Sequence, residues 1–296
     1  MSTGAPPEES KAGSDIPMKI LISRRGGYCY GVQRALDIAQ RAAKDSPGPI
    51  HTMGPIIHNP GVVRELAEAG VSPVEKLEEV TEGTIILRTH GVTPAVITDA
   101  RRLGLVIVDA TCPYVKVAQE KASFLGGQGY LTVILGEHEH PEVVALVANA
   151  GEKTIVVENA EELELGQVNG KRVGVVVQTT QASANLAALA SRLSSTCREL
   201  LIFNTMCNAT QKCQDEALSL ARQAGAVIVI GGRNSANTRR LAQLCTEVQP
   251  KTHHIEDVGE LRREWFEGVE TVAITAGAST PPEQMEDAAA WLSSIE

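Results

Sequence analysis

The chain contains 296 residues, which at roughly 150 residues per domain predicts about two domains. Its composition, with 43% apolar and only 3% aromatic residues, is typical of a soluble globular protein with an aliphatic core. No segment approaches the roughly 18 uninterrupted apolar residues of a membrane span, so we expect no membrane partner. With 27 Lys and Arg against 36 Asp and Glu, a net charge of −9 and no basic tract, we expect no nucleic-acid partner either. An anionic ligand must therefore be captured by a local site rather than by the field of the whole protein.

Residues 1–17 are predicted to form a disordered tail outside the fold. This segment is rich in Pro, Gly and Ser and carries Glu8, Glu9 and Asp15, whereas an organelle transit peptide is rich in Arg and poor in acids. The six cysteines are too sparse for a disulfide scaffold, and nothing at the N-terminus resembles a secretory signal. These features predict a cytoplasmic protein whose cysteines are reduced thiols or metal ligands.

An internal repeat divides the rest of the chain into three predicted α/β units, residues 18–105, 106–199 and 200–296. Each unit runs through a β-branched stretch, a cysteine, an amphipathic helix and a second apolar stretch that ends in Gly and a polar cluster. The cysteine and the polar residue are 29, 28 and 28 residues apart, in the pairs Cys29 and His58, Cys112 and His140, and Cys207 and Ser235. Each unit then adds a third apolar stretch: TIILRTHG, RVGVVVQTTQ and TVAITAGAS.

The apolar stretches are predicted to be buried strands of parallel sheets. VIVDA, TVILG, AVIVIGG and GVVVQ are short, β-branched and non-alternating, and they lie between helical stretches. In open parallel α/β sheets the site lies at the carboxyl ends of the strands, which is where the cysteines and polar clusters occur. The sequence therefore predicts an α/β fold of three units in a trefoil about a pseudo-threefold axis, with three cysteines and a ring of polar groups at its centre.

Cys29, Cys112 and Cys207, one in each unit, are candidate metal ligands. Their separations of 83 and 95 residues match no sequence-local zinc motif, so a metal site must be closed by tertiary structure. Three thiolates suit either zinc with an open position or a [4Fe-4S] cluster in which one iron has no protein ligand. The remaining cysteines have no counterparts in the repeat and are predicted to be packing residues: Cys197, Cys213 and Cys245.

Short polar residues beside glycines are candidate ligands for an anion. Small neighbours let an anion approach backbone N–H groups at helix N-termini, which suits a phosphate or diphosphate held without Lys. The candidates are His58, His90, His140, Thr179, Ser235, Asn237 and Ser279.

Taken together, these motifs resemble those of one family. GGYCYGVQRA, GPIIHNP, THGV, DATCPYV, HPEV, QTT, NTMCNAT, NSAN and TAGAST occur in order across residues 18–281 and are similar to the motifs of the LytB/IspH family of 4-hydroxy-3-methylbut-2-enyl diphosphate reductases. The resemblance implies a trefoil around a [4Fe-4S] cluster. It also implies a two-electron reductive dehydroxylation that yields isopentenyl and dimethylallyl diphosphate in the non-mevalonate isoprenoid pathway, with electrons from a ferredoxin or flavodoxin system.

Carried over by position, the resemblance implies a role for each candidate residue. Glu142 would deliver a proton, with His140 on the same loop, and Thr179 would orient both the substrate hydroxyl and Glu142. The cluster ligands would be Cys29, Cys112 and Cys207. The diphosphate would be bound by His58, His90, His140, Ser235, Asn237 and Ser279.

Two departures from the family pattern keep other functions open. Ala236 stands where the family usually has a second Ser, which removes a hydroxyl donor, and Cys213 stands where it usually has Arg. A paralogous iron–sulfur reductase acting on another anion is one alternative. A non-catalytic iron–sulfur redox sensor would use the same cysteines without needing Glu142. The pair His138 and His140 suggests a zinc hydrolase, although the sequence has no HExxH helix.

Overall fold

The computed structural model describes residues 17–46 and 48–295. The predicted tail, apart from Pro17, lies outside the described residues. Across the described ranges, none of the helices combines the length and the apolar character needed to cross a bilayer.

The described chain forms three four-stranded sheets in which all neighbouring strands are parallel. The first sheet, in spatial order, is β3 (Val71–Val74), β2 (Ile50–Met53), β4 (Thr84–Leu87) and β5 (Val106–Asp109). The second is β7 (Thr154–Val157), β6 (Leu131–Leu135), β8 (Arg172–Val177) and β9 (Glu199–Phe203). The third is β11 (Thr252–Ile255), β10 (Ala226–Ile230), β12 (Thr271–Ala276) and β1 (Lys19–Ile22). The predicted fold class is thus confirmed.

Helices connect the parallel strands. They are α1 (Tyr30–Asp45), α2 (Pro60–Glu68), α3 (Pro94–Arg102), α4 (Pro113–Gly127), α5 (Pro141–Ala150), α6 (Leu165–Val168), α7 (Ser183–Ser194), α8 (Asn208–Ala221), α9 (Ala236–Val248) and α10 (Glu283–Ser294). Short 3-10 helices cover Leu77–Glu79, Val258–Glu260 and Arg263–Phe266. Proline opens α2, α3, α4 and α5, where its fixed φ suits the first helical position and its missing N–H leaves no bond unmade.

Helices cover both faces of the sheets, and this explains the non-alternating strands. All four residues of β4 and all five of β10 are buried. A strand buried on both faces has no solvent side, so its sequence is apolar throughout rather than apolar at every second residue.

The strand that precedes each cysteine belongs to the preceding sheet. β5 pairs with β4, β9 pairs with β8, and β1 pairs with β12, with Lys19 opposite Thr271. The predicted units instead grouped each of these strands with the cysteine that follows it. The predicted boundary at 105/106 therefore falls just before β5, and the boundary at 199/200 falls within β9, although each of these strands is the fourth of the preceding sheet. The physical reason is that the third strand leaves an open edge, which the next strand fills before the helix after the cysteine carries the chain onward.

The interface between α4 and α5 gives a stability prediction with a built-in control. A Cβ placed on Gly126 would overlap the carbonyl oxygen of Ala150 and lie 2.9 Å from its carbon, whereas one on Gly127 meets nothing within 4 Å. We expect Gly126→Ala to lower the free energy of unfolding by roughly 1 to 3 kcal/mol, because backbone cannot yield as a side chain can. Gly127→Ala should be neutral or stabilising by about 1 kcal/mol, since Ala is the better helix former.

Urea unfolding of the two variants beside the wild type checks this pair. Equal stability of the two variants would show that the close approach of α4 and α5 is not required.

Candidate active site between the three sheets

A cavity lies where the carboxyl ends of strands from the three sheets meet. Every residue predicted for the site lines it: Cys29, His58, His90, Cys112, His140, Glu142, Thr179, Cys207, Ser235, Asn237 and Ser279. The structure therefore brings together groups that the sequence separates by up to 250 residues.

The three cavity cysteines occupy equivalent positions. Each is the N-cap of a helix: Cys29 of α1, Cys112 of α4 and Cys207 of α8. Each backbone N–H donates to a carbonyl two residues beyond the third strand of the preceding sheet, at 3.2 Å to Ala278, 3.0 Å to Thr89 and 2.9 Å to Thr179. The positive ends of three helices consequently point towards one group of sulfur atoms.

The surroundings of these sulfur atoms fit a metal cluster. Gly31 borders them so closely that a Cβ there would lie 2.6 Å from Cys112 Sγ and 3.9 Å from Cys29 Sγ. Burial raises the pKa of both thiols, and charge on the neighbouring cysteines raises it further, while backbone N–H groups at the helix starts lower it. Three thiolates this close together repel one another, so a bound cation or cationic cluster is what would stabilise them.

The other cysteines lie in packed regions rather than in the cavity wall. Cys197 packs in the second unit, and Cys213 and Cys245 belong to one apolar cluster of the third. Cys213 is buried, its thiol contacts the Ala276 carbonyl at 3.8 Å, and burial raises its pKa to about 12. A neutral thiol in this position is a packing residue.

Three histidines form a cluster at the other side of the cavity. The ring centroids of His58 and His90 are 4.5 Å apart, and that of His140 lies 5.9 Å and 5.3 Å from them. Burial lowers the pKa of all three, to about 4 for His140 and well below the ordinary value for His90. The rings are therefore neutral near pH 7.

Unpaired polar atoms in the cavity indicate the charge of the ligand that it suits. His58 Nε2 and Asn237 Nδ2 are buried without a hydrogen-bond partner among the described residues. His140 Nδ1 accepts the backbone N–H of Glu142 at 3.2 Å, so the neutral ring carries its proton on Nε2. The three histidines have ring nitrogens within 4.8 Å of one another, a spacing that also admits a metal ion. The protonated Nε2 of His140 and the Asn237 amide instead favour an anion, because both are donors.

Glu142 holds the carboxyl group of the cavity. It is 1% exposed and accepts two hydrogen bonds from Thr179, each 2.7 Å, one from the backbone N–H and one from the hydroxyl. Burial raises its pKa to about 7, although both bonds from Thr179 act in the opposite direction. The group can therefore hold or release a proton near neutral pH.

The structure also shows site residues that the sequence reading missed. Thr180 and Thr210 line the cavity. The available signals were the doubled Thr in QTTQ and the helical spacing of three residues between Cys207 and Thr210. Two arginines outside the cavity wall, Arg88 and Arg239, act on the histidines through their charge.

Hydrogen bonds and one ion pair join the units around the cavity. Asn59 donates through Nδ2 to the Ser279 carbonyl at 3.0 Å, which ties the first unit to the third. Arg239 on α9 pairs with Glu137 in the second unit at 2.8 Å. Ala236, the departure noted in the sequence, lines the cavity with a methyl group between Ser235 and Asn237.

Three parallel α/β sheets around one cavity, lined by a helix-capping cysteine from each junction and by a buried carboxyl, define a class of three-unit α/β proteins with a central cysteine site. The chain belongs to the LytB protein family, whose profile matches residues 20–293. The resemblance seen in its motifs is thereby confirmed.

Relatives and solved structures cover nearly the whole chain. It is 47% identical over 264 residues to the 4-hydroxy-3-methylbut-2-enyl diphosphate reductase of Pelobacter propionicus, covering 89% of this chain and 94% of the relative. For the reductase of Geobacter sulfurreducens the identity is 48% over 264 residues, with 89% and 93% covered. A solved (E)-4-hydroxy-3-methyl-but-2-enyl diphosphate reductase, the terminal enzyme of the non-mevalonate pathway, has a TM-score of 0.69 and 41% identity, covering 92% of this chain and 98% of its own. The Plasmodium falciparum E-1-hydroxy-2-methyl-but-2-enyl-4-diphosphate reductase shares the fold, with a TM-score of 0.86, 24% identity, and 93% and 88% covered.

The raised pKa of Glu142 predicts a pH-dependent stability difference. Folding raises this pKa from 4.5 to about 7, so the protonated carboxyl is favoured in the folded protein. Its contribution to the free energy of unfolding is present in full below pH 4.5 and is lost as the pH rises through 7. Glu142→Gln removes the titration; its amide oxygen can still accept the Thr179 N–H, and its amide NH2 can donate to the Thr179 hydroxyl instead of accepting from it. At about 1.4 kcal/mol per unit of pKa shift, the variant should be more stable than the wild type by on the order of 3 kcal/mol at pH 8, and by only about 1 kcal/mol at pH 5.

Urea unfolding of the metal-free proteins at the two pH values measures this difference. A gap that is the same at pH 5 and pH 8 would contradict the raised pKa.

Proposed function

We propose that this protein reduces 4-hydroxy-3-methylbut-2-enyl diphosphate to isopentenyl and dimethylallyl diphosphate in the non-mevalonate isoprenoid pathway. The observation that carries the proposal is the convergence of three thiols, a proton-holding carboxyl and unpaired donors on one cavity. The reaction breaks the allylic C–O bond, forms a C–H bond, consumes two electrons and two protons, and releases water. The cavity contains thiols that would hold an electron-transferring cluster, a carboxyl that would supply one of the two protons, and donors that would bind the diphosphate.

Cys29, Cys112 and Cys207 would hold a [4Fe-4S] cluster. When bound, such a cluster supplies electrons one at a time and Lewis acidity at an iron without a protein ligand. Support comes from the position of the cysteines as three equivalent helix caps and from the room that Gly31 leaves beside two of the sulfur atoms.

The histidine side of the cavity would bind the diphosphate. Buried donors without partners are unfavourable in an empty site and become satisfied by phosphate oxygens, which accounts for the orphaned atoms of His58 and Asn237. The proposed ligands are His58, His90, His140, Ser235, Asn237 and Ser279. A site without Lys or Arg in its wall relies on many neutral donors. Because Ala236 lacks the hydroxyl donor of the family's second Ser, the other donors must offset the loss of that hydrogen bond.

Glu142 would supply a proton to the departing hydroxyl. An anionic substrate in the same cavity favours the protonated carboxyl beyond the effect of burial, because it repels a second negative charge. Thr179 both donates to Glu142 and lines the cavity, so its hydroxyl is placed to orient the substrate hydroxyl beside the acid. His140 fixes the start of α5 by accepting the Glu142 N–H.

The electrons would come from a small carrier protein of the ferredoxin or flavodoxin type in the cytoplasm. The reaction uses two electrons for each turnover, so the protein depends on repeated delivery from outside. None of the six cysteines is joined in a disulfide, which is compatible with a reducing compartment.

Anaerobic purification with iron and sulfide analysis tests the cluster. We expect a brown protein with about four irons, since three thiolates suit a cubane cluster. Cys112→Ser should lose most of the iron, because one of the three ligands is removed. Cys245→Ser is the matched control and should keep it, because Cys245 is buried in an apolar cluster. A colourless zinc protein would contradict the cluster, and with it the reductase.

Replacing the proposed acid tests the reaction itself. Glu142→Gln should lower turnover of 4-hydroxy-3-methylbut-2-enyl diphosphate at least about 100-fold, the usual range for loss of a general acid. Its iron content should stay unchanged. Glu139→Gln, three residues earlier on the exposed part of the loop, should keep normal turnover. Normal turnover in Glu142→Gln would rule out the proton-donor role.

A further inference from the structure

Arg88 lies at the edge of the histidine cluster with its side chain held by the first sheet. It directly follows β4 and comes two residues before His90. Its guanidinium rests against Gly54, at the end of the neighbouring strand β2, where a Cβ would lie 3.1 Å from Arg88 Cζ. Gly54 has φ +67°, a conformation that also favours glycine. The backbone at Gly54 thus leaves the space that the guanidinium occupies.

This guanidinium is a partly buried charge that forms no ion pair among the described residues. Within the described ranges no carboxylate lies at ion-pair distance from Arg88, and its Nε is buried without a hydrogen-bond acceptor. Burial lowers its pKa and nearby Glu75 raises it, but an arginine stays protonated at any physiological pH. A buried charge is unfavourable unless something compensates it, so an anion bound nearby would relieve this one.

The charge of Arg88 reaches all three histidines. It lowers the pKa of His58, His90 and His140. Arg239 also acts on two of these rings, but it is paired with Glu137 at 2.8 Å. The wall of the cavity contains no Lys or Arg, and the whole chain carries a net charge of −9. Among the described arginines whose charge acts on the histidines, Arg88 is therefore the one that forms no ion pair with a carboxylate.

We propose that Arg88 is a specificity-determining residue that favours multiply charged anions in this cavity by its field, without touching the ligand. The inference rests on the proposed function, because it assumes that the histidine side binds a diphosphate. Coulomb energy grows with the charge of the ligand, so the preference is for diphosphate over monophosphate. A partly buried charge such as that of Arg88 is screened less by salt than a fully exposed one.

Binding of inorganic pyrophosphate and inorganic phosphate to the holoprotein, measured by calorimetry at low and high NaCl, tests this role. Arg88→Gln should weaken pyrophosphate binding roughly tenfold and phosphate binding by only about two- to threefold, as a charge interaction in a partly desolvated site predicts. Arg88→Lys should recover most of the affinity. Arg101→Gln, which removes the same charge from the exposed end of α3, should change neither.

A second variant acts in the opposite direction and does not disturb the buried side chain. Glu75→Gln removes the exposed acid that opposes Arg88, so pyrophosphate should bind about twofold more tightly, a change of the size expected for an exposed charge.

Three results would overturn the inference. One is that Arg88→Gln and Glu75→Gln both bind pyrophosphate as the wild type does, while a His58 variant does not. That result would support the proposed diphosphate site but would exclude a role for Arg88. Another is an equal loss for both anions in Arg88→Gln that Lys does not recover, which indicates a structural role. The third is a wild type that binds no pyrophosphate, which removes the proposed diphosphate site as well.

Discussion

The bond from the backbone N–H of each cavity cysteine to a carbonyl of the preceding sheet is the contact on which the site depends. It recurs three times, from Cys29 to Ala278, from Cys112 to Thr89 and from Cys207 to Thr179. Each bond joins the start of a helix to the chain just past a third strand. Three sheets that share no strand-to-strand hydrogen bonds are thereby linked in a ring, and the thiols converge because these three bonds have the same geometry.

The cysteine part and the histidine part of the cavity suit ligands of opposite charge. The cysteine part gathers groups that a bound cation or cationic cluster would stabilise as thiolates, while the histidine part offers neutral donors under the field of a partly buried arginine. Glu142 has a pKa near neutral and accepts hydrogen bonds from Thr179, the residue whose carbonyl also accepts the Cys207 N–H. An acidic protein can therefore bind an anionic substrate, since the potential inside the cavity is independent of the net charge.

Much of this site follows from the sequence, because the repeat marks equivalent positions and parallel sheets gather them at one end. The cysteines and histidines were found in that way. The pairing of Glu142 with Thr179 came only from the family resemblance, since a glutamate after proline is also an ordinary first-turn residue. The sequence did not predict that β1, β5 and β9 belong to the sheets that precede their cysteines, because apolar runs do not specify which strand they pair with. Arg88 was missed because its role depends on an absent ion partner and on Gly54, neither of which a local pattern records.

The pairing of β1 with β12 has a consequence for how the protein is made. The first two sheets come from continuous segments, 50–109 and 131–203, and each has all its strands as soon as that segment has left the ribosome. The third sheet joins residues 19–22 to residues 271–276, so the earliest strand waits for one of the last. A nascent chain can align Cys112 and Cys207 with their acceptors but has no acceptor for Cys29 until Ala278 is synthesised. Synthesis itself thus delays the convergence of the three cysteines until almost the whole chain exists.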